Sequence, residues 1–224
     1  ALEWERLVQA TPESGFMQSW AWSRFKEAEG QQVLRLGVRD GAGRLVAGTL
    51  AYYLPASWGA SPLTIPNGPV LPWESPDVLA CWALLRQALE AAATRLGSPL
   101  ARLEPCCARL PEGFGDLVRA PLDLIPTPTL LVDIGRPDED ILAGMKPKGR
   151  YNVTLALRKG VEVFPLSGEE AVDKFFPLFE LSRLRHGFRG EPRAFFSRLL
   201  ATLEPAGMAR VFFARYRGVV ESQT

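Results

Sequence analysis

Apolar residues recur at Val78, Trp82, Leu85, Leu89, Ala92 and Leu96, in alternating steps of four and three. That spacing puts them on one face of a helix, and Gly97 with Pro99 supplies the stop. A second helical segment runs from Ser19 to Glu29, with Ser19 placed as N-cap and Gly30 as terminator. Gln32–Arg39 and Arg44–Leu54 have strand character, and Asp40-Gly41-Ala42-Gly43 between them is a hairpin connection. Beyond an irregular proline-rich stretch from Pro55 to Pro76, broken by the extended piece Leu63-Thr64-Ile65, a strand is predicted at Leu100–Glu104. The apolar run Thr129–Ile134 reads as a buried strand.

A second unit opens near Asp138. It is predicted to contain helices at Asp138–Met145 and Arg150–Lys159 and a strand at Val161–Pro165. Ser167-Gly168-Glu169-Glu170 has the form of a capping box, opening a helix that carries Val172, Phe175, Phe176 and Phe179. Pro192 is placed in the first turn of another helix, with Phe195, Phe196, Leu199, Leu200 and Leu203 facing inward. A strand from Met208 to Tyr216 and a turn at Arg217-Gly218 complete the pattern. Helices and strands are mixed without strict alternation, which points to an α+β fold in two units, 1–137 and 138–224. The last hairpin breaks off at Val219–Thr224, so the second unit is expected to be incomplete.

Composition narrows the function classes. The chain has 224 residues, 47% of them hydrophobic, and 26 basic against 25 acidic residues, a formal charge of +1. That balance argues against coating DNA but leaves room for a local phosphate site. Cys81, Cys106 and Cys107 are too few and too poorly spaced for a disulfide framework or a zinc knuckle. A single histidine, His186, disfavours histidine-based metal sites and triads, and no metal is expected. No apolar run approaches the length of a membrane span and no leader pattern opens the chain, so the expected location is the cytoplasm.

One stretch departs from the balanced background. Lys146, Lys148, Arg150, Arg158 and Lys159 lie between Asp140 and Glu162 with no acid among them. Cations gathered around a helix start suit a phosphate-bearing ligand, although a solvated basic face produces the same pattern.

Four stretches, in order, resemble the FemABX family. Phe16-Met17-Gln18-Ser19-Trp20-Ala21-Trp22-Ser23-Arg24-Phe25-Lys26 is similar to the family's Q-S-x-x-W-x-x-x-K. Ile65-Pro66-Asn67-Gly68-Pro69-Val70 is similar to its P-R-G-P-V turn. Lys148-Gly149-Arg150-Tyr151-Asn152-Val153, with Arg158-Lys159-Gly160-Val161 after it, is similar to K-x-R-Y-N-I followed by a basic pair and G-V. Arg185-His186-Gly187-Phe188 stands where members often carry R-x-G-F.

The resemblance implies two fused modules of the GNAT type with mixed sheets. It implies a reaction in which an amino acid passes from a charged tRNA to an amine on the stem peptide of a peptidoglycan precursor. Aminoacyl-tRNA would be the donor substrate with no cofactor, and peripheral contact with the inner membrane face is a further implied partner. Because the acceptor carries a diphosphate, Lys26 and Arg150 match the family's diphosphate-contacting positions. Lys148, Tyr151 and Arg185 join them as substrate-binding candidates. Lys26 also reads as an ordinary helix lysine and Arg150 as a surface arginine. Tyr151 is suited to packing or to bonding a ligand, and Asn152 to steadying a helix start. Two departures stand out: Asn67 replaces an arginine, and Glu74 lies near a position where some members place an aspartate. No residue is assigned as catalytic base. The near-match to an acyl-CoA pyrophosphate loop, Arg109–Gly115, is one residue too long and contains Pro111, so it reads as a turn-rich loop. A relative that binds a nucleotide-linked or lipid-linked muropeptide without transferring anything is the alternative, as is a GNAT-like acyltransferase with another acceptor.

Overall fold

The computed structural model describes residues 1–53, 61–107, 109–115, 117–125, 130, 132–217 and 219–221. The chain divides into two compact units, Ala1–Ile125 and Pro126–Thr224. In the first, α1 (Leu2–Gln9) and a short 3-10 turn (Phe16–Gln18) precede α2 (Trp20–Ala28). Strands β1 (Val33–Arg39), β2 (Leu45–Tyr53) and β3 (Leu63–Pro66) follow, then α3 (Val78–Leu96) and β4 (Ala101–Glu104). The sheet order is β1-β2-β3-β4, antiparallel except for the parallel pair β3–β4. The stripe predicted on α3 is the face it buries: Val78, Trp82, Leu85 and Leu89 share one core with Ala47, Ala51, Leu63 and Ile65 of the sheet, and Ala92 is buried as well. Gly97 ends the helix at φ 66°, a left-handed conformation that suits glycine. The turn-rich loop after β4 is anchored by Phe114, which is buried between Trp73 and Trp82, stacked on each.

The pivot of this unit is Gln18, whose side chain is fully buried. The β2–β3 register pairs Tyr52 with Thr64, which by continuation sets Leu50 opposite Pro66. Pro66 has no N–H to offer, so the ladder cannot extend to that pair. Gln18 occupies the break. Its Nε2 donates to the carbonyls of Leu50 (3.2 Å) and Pro66 (2.7 Å), and its Oε1 accepts the Leu50 N–H at 2.8 Å. One carboxamide thus acts as a missing peptide group. Gly68 is required beside it, since a Cβ there would lie 2.5 Å from the Gln18 carboxamide carbon. Pairing resumes beyond the turn, where Gly48 bridges Val70.

Gln18 also fixes the helices. Its backbone carbonyl accepts the Trp4 indole N–H at 2.7 Å, which seats α1. Ser19 caps α2 as expected, its hydroxyl accepting the Trp22 N–H at 3.0 Å. Glu5 on α1 adds a carboxylate to the same helix start, accepting the N–H of Trp20 at 2.8 Å.

The second unit contains α4 (Asp138–Gly144), α5 (Pro147–Arg158), β5 (Glu162–Leu166), α6 (Gly168–His186), α7 (Arg193–Leu203), β6 (Val211–Tyr216) and β7 (Val219–Glu221). Its three described strands pair antiparallel in the order β5-β6-β7. Ala171 and Val172 of α6, Leu200 and Leu203 of α7 and Phe213 of β6 are its buried apolar residues. Phe175, Phe179 and Phe196 close the seam between the two helices, with ring centroids 4.9–5.6 Å apart. The whole chain is thus α+β, with a mixed four-stranded sheet and a smaller second one.

Three expectations need correction. Leu130 and Val132–Ile134 form no strand, and Leu130 and Ile134 are 88% and 85% exposed. Among the described residues neither sheet's pairing reaches them, so the apolar run has no edge to join; 129 and 131 lie outside those residues. The capping box at Ser167 does not close either. Ser167 sits at the N-cap of α6 without a side-chain bond, and a different N–H of the helix start, that of Gly168, is met from outside by the Glu204 carboxylate at the end of α7, at 2.9 Å. Pro192 is the N-cap of α7 and not part of its first turn.

Two outcomes are expected. Replacing Gln18 by leucine strands Leu50 N–H and two carbonyls in a dry interior. It should cost about 3–5 kcal/mol, at roughly 1–3 kcal/mol per stranded group with partial relaxation. Urea unfolding of wild type and Gln18→Leu measures this, and a loss under about 1 kcal/mol would remove the amide from its central role. Glu3 is held near pKa 2, from an ordinary 4.5, by hydrogen bonds from Arg39 and from the Leu45 N–H. A depressed carboxylate stabilises above its unfolded value, and that contribution fades as pH falls from about 4.5 towards 2. Carbon-13 titration of Glu3 should therefore show a midpoint near 2 that rises in Arg39→Gln.

Candidate functional site

Lys26 lies in the last turn of α2, one turn beyond Trp22, so the i and i+4 positions share a helix face. Its ammonium nitrogen stands 4.9 Å from the Trp22 ring centroid, 5.0 Å from Tyr52 and 5.2 Å from Phe25. Three aromatic faces around one half-buried cation form a cage, and each such contact is worth about 0.5–2 kcal/mol depending on desolvation. Lys26 is therefore not an ordinary exposed helix lysine. Tyr52 comes from β2 and is buried. Burial pushes its phenol above the ordinary range; Trp22 acts in the opposite sense, and the Glu104 carboxylate adds to the rise.

Glu104 ends β4 and holds the segment that follows. It pairs with Arg102 at 2.7 Å and accepts the N–H groups of Leu124 (3.1 Å) and Ile125 (3.0 Å). Arg102 donates in turn to the Leu122 carbonyl. Both side chains are largely buried, so the pair acts as a cross-brace at the end of the parallel strands.

Asn67, standing where the family pattern has arginine, follows β3 with φ 51°. Asparagine tolerates that left-handed conformation better than most residues. Its carboxamide donates to Cys106 Sγ at 3.1 Å and packs against Gly15, where a Cβ would meet it at 2.4 Å. Here the position ties two loops together. Glu74 is exposed in the turn before α3.

The other candidates belong to the second unit. Pro147 occupies the first position of α5 and Lys146 its N-cap, so the helix begins three residues before the expected Arg150. Its first turn contains no acid, and Lys148, Arg150 and Tyr151 are exposed around it. Tyr151, 57% exposed, is not packed into a core. Asn152 sits inside the helix and is exposed, so it does not cap the helix start. Arg150 donates through Nη1 to the carbonyls of Ala143 (3.2 Å) and Met145. These close the end of α4, so Arg150 has a structural duty beyond that of a surface arginine. Both bonds use one nitrogen, and the guanidinium has further N–H groups for an anion. Arg185 lies exposed in the last turn of α6, followed by His186 and by Gly187 at φ 68°. Lys148, Arg150 and Tyr151 thus share one helix start, Arg185 is on another helix, and Lys26 is in the first unit.

Sequence reasoning passed over Tyr52, Trp22 and Glu104. The four-residue spacing of Trp22 and Lys26 carried a signal for one wall of the cage; nothing in the sequence aligned Tyr52 with them. A cavity of about 380 Å³ between α3 and β4 is lined by Trp82, Arg86, Leu89 and Leu103. Another, of about 610 Å³ at the β1 edge, is lined by Trp4, Trp20, Arg35 and Arg39. Neither is lined by Lys26. Among the described residues no group of three or more His, Cys, Asp or Glu is placed to hold a metal ion, and no helix is long and apolar enough to cross a membrane.

Comparison with known proteins adds three findings. The FemAB family's sequence pattern matches residues 1–90. No curated protein matches the chain. The crystal structure of FemX is similar in fold, with a TM-score of 0.76 at 19% identity, over 96% of this chain and 56% of FemX. The chain thus spans just over half the length of that protein. The FemAB match covers the segment that holds Gln18, Ser19, Lys26 and the Pro66–Val70 turn, and the likeness to FemX, which runs through both units, is one of fold.

Proposed function

We propose that this protein is a cytoplasmic aminoacyltransferase of peptidoglycan cross-bridge synthesis. It would move an amino acid from charged tRNA to the stem-peptide amine of a diphosphate-bearing precursor. The observation that carries this reading is the start of α5, where an acid-free first turn presents Lys148 and Arg150. A helix N-terminus and two cations together favour phosphate oxygens. Each unit offers its own candidate by resemblance: Lys26 in the first, a point charge ringed by aromatics, and Arg150 in the second, a planar fork. Tyr151 and Arg185 complete the binding set on this reading.

The chemistry asks for positioning more than for a special group. The acceptor amine attacks the aminoacyl ester carbonyl, a C–N bond forms, and the C–O bond to the terminal ribose breaks. The amine loses a proton and the ribose oxygen gains one. Orientation of the two substrates and donors to the intermediate oxyanion supply the rate. Aminoacyl-tRNA is a substrate and no resident cofactor is invoked. Peripheral contact with the inner membrane face belongs to this reading when the precursor is lipid-linked.

A second reading is a relative that binds the muropeptide without transfer. Asn67 favours it, because its carboxamide is committed to Cys106 where the FemABX family commonly has an arginine. Full-length protein, labelled aminoacyl-tRNA and nucleotide-linked or lipid-linked muropeptide separate the two. Transfer of label to the acceptor is expected, whereas tight muropeptide binding with no transfer from any charged tRNA would establish the second. In the same protein Arg150→Ala should weaken muropeptide binding by about 1.5–3 kcal/mol, the worth of a charged hydrogen bond. Arg150→Lys should recover only part of it, since the fork is lost. Calorimetry reads both, and unchanged affinity in Arg150→Ala would take that residue out of the site.

A further inference from the structure

The cage around Lys26 has a use that the sequence motif does not convey. Trp22 and Phe25 come from the same helix as Lys26, but Tyr52 comes from β2, far away along the chain. A lysine stem has several rotatable bonds, and an unrestrained ammonium loses much of that freedom on gripping an anion. Here three ring faces at 4.9–5.2 Å already define where the nitrogen stands. Attraction to a ring face is electrostatic and not directed along an N–H bond, so it coexists with N–H···O bonds to phosphate oxygens.

We propose that Tyr52, together with Trp22, is a positioning residue that pre-sets the Lys26 ammonium for an oxyanion of the acceptor's diphosphate. This inference rests on the function proposed above and names a determinant of affinity at the same site. Tyr52 acts through Lys26 and does not touch the ligand. Its place in the fold explains how it can be rigid: it is buried, and β2 pairs it with Thr64 on one side and Val33 on the other. The ring, and not the hydroxyl, is the operative part.

The test is a double-mutant cycle in the full-length protein, with nucleotide-linked muropeptide and inorganic pyrophosphate as separate probes. Tyr52→Leu should weaken muropeptide binding about threefold to tenfold, the cost of ordering one lysine side chain that the cage meets before the ligand arrives. Tyr52→Phe should stay within about twofold of wild type. In a Lys26→Ala background Tyr52→Leu should produce no further loss. Pyrophosphate should report the same order of variants, since only the diphosphate is at issue. The free protein supplies a second readout. The Lys26 ε-methylene protons should resonate upfield from ring currents and move back towards the ordinary lysine position in Tyr52→Leu. Should that variant fail to fold, Trp22→Leu and Tyr52→Phe carry the same comparison. An equal loss from Tyr52→Leu with or without Lys26 would show that the ring supports the fold alone, which overturns the positioning role and leaves the diphosphate reading standing. Wild-type affinity in Lys26→Ala would remove the diphosphate reading at Lys26 and this inference with it.

Discussion

A single side-chain carboxamide standing in for a peptide group holds the first unit together. Because Pro66 cannot donate, β2 and β3 part at Leu50, and Gln18 fills the parting with three hydrogen bonds to main-chain atoms. Every polar atom of that amide is used in a dry place, where an unmet group is expensive. The same residue receives Trp4 through its carbonyl and hands the chain to the Ser19 cap, so α1, α2 and the sheet are registered at one point. Lys26 inherits its position from that point, two turns along α2. The site is as well defined as the joint that precedes it.

The pattern along the chain made most of this fold legible. The α3 stripe, the β1–β2 hairpin and the Ser19 cap each rest on local chemistry that the sequence spells out. What was not legible depended on partners distant in sequence. Thr129–Ile134 has the composition of a core strand, yet its described positions are exposed, because composition says what a segment prefers and not whether an edge receives it. The Ser167 box does not close, and the start of its helix is met by Glu204, 36 residues beyond Gly168, which no local motif encodes. Helix α1 carried a readable signal that was passed over: Trp4, Leu7 and Val8 hold helical spacing, and Trp4 and Val8 are the residues it buries.

The candidate site divides in the same way. Lys148, Arg150 and Tyr151 were readable because a helix start is a local event, and the structure gathers them at the first turns of α5. Arg150's bonds to the end of α4 were not readable, and they give that residue two duties, one to the chain and one proposed for a ligand. The aromatic surroundings of Lys26 were half readable: Trp22 from spacing, Tyr52 only from the sheet. Asn67 shows the opposite failure. Its motif position suggested a lost charge, whereas the structure shows a new tie to Cys106.

The break in the ladder at Pro66 also bears on what the signature means. A glutamine and a proline-glycine turn that must meet in three dimensions serve the architecture, whatever the reaction is. Either half alone leaves a sheet and two helices unseated. The most recognisable letters of this sequence therefore spell a joint, and the trade of the molecule is written in the less conspicuous residues around the lysine.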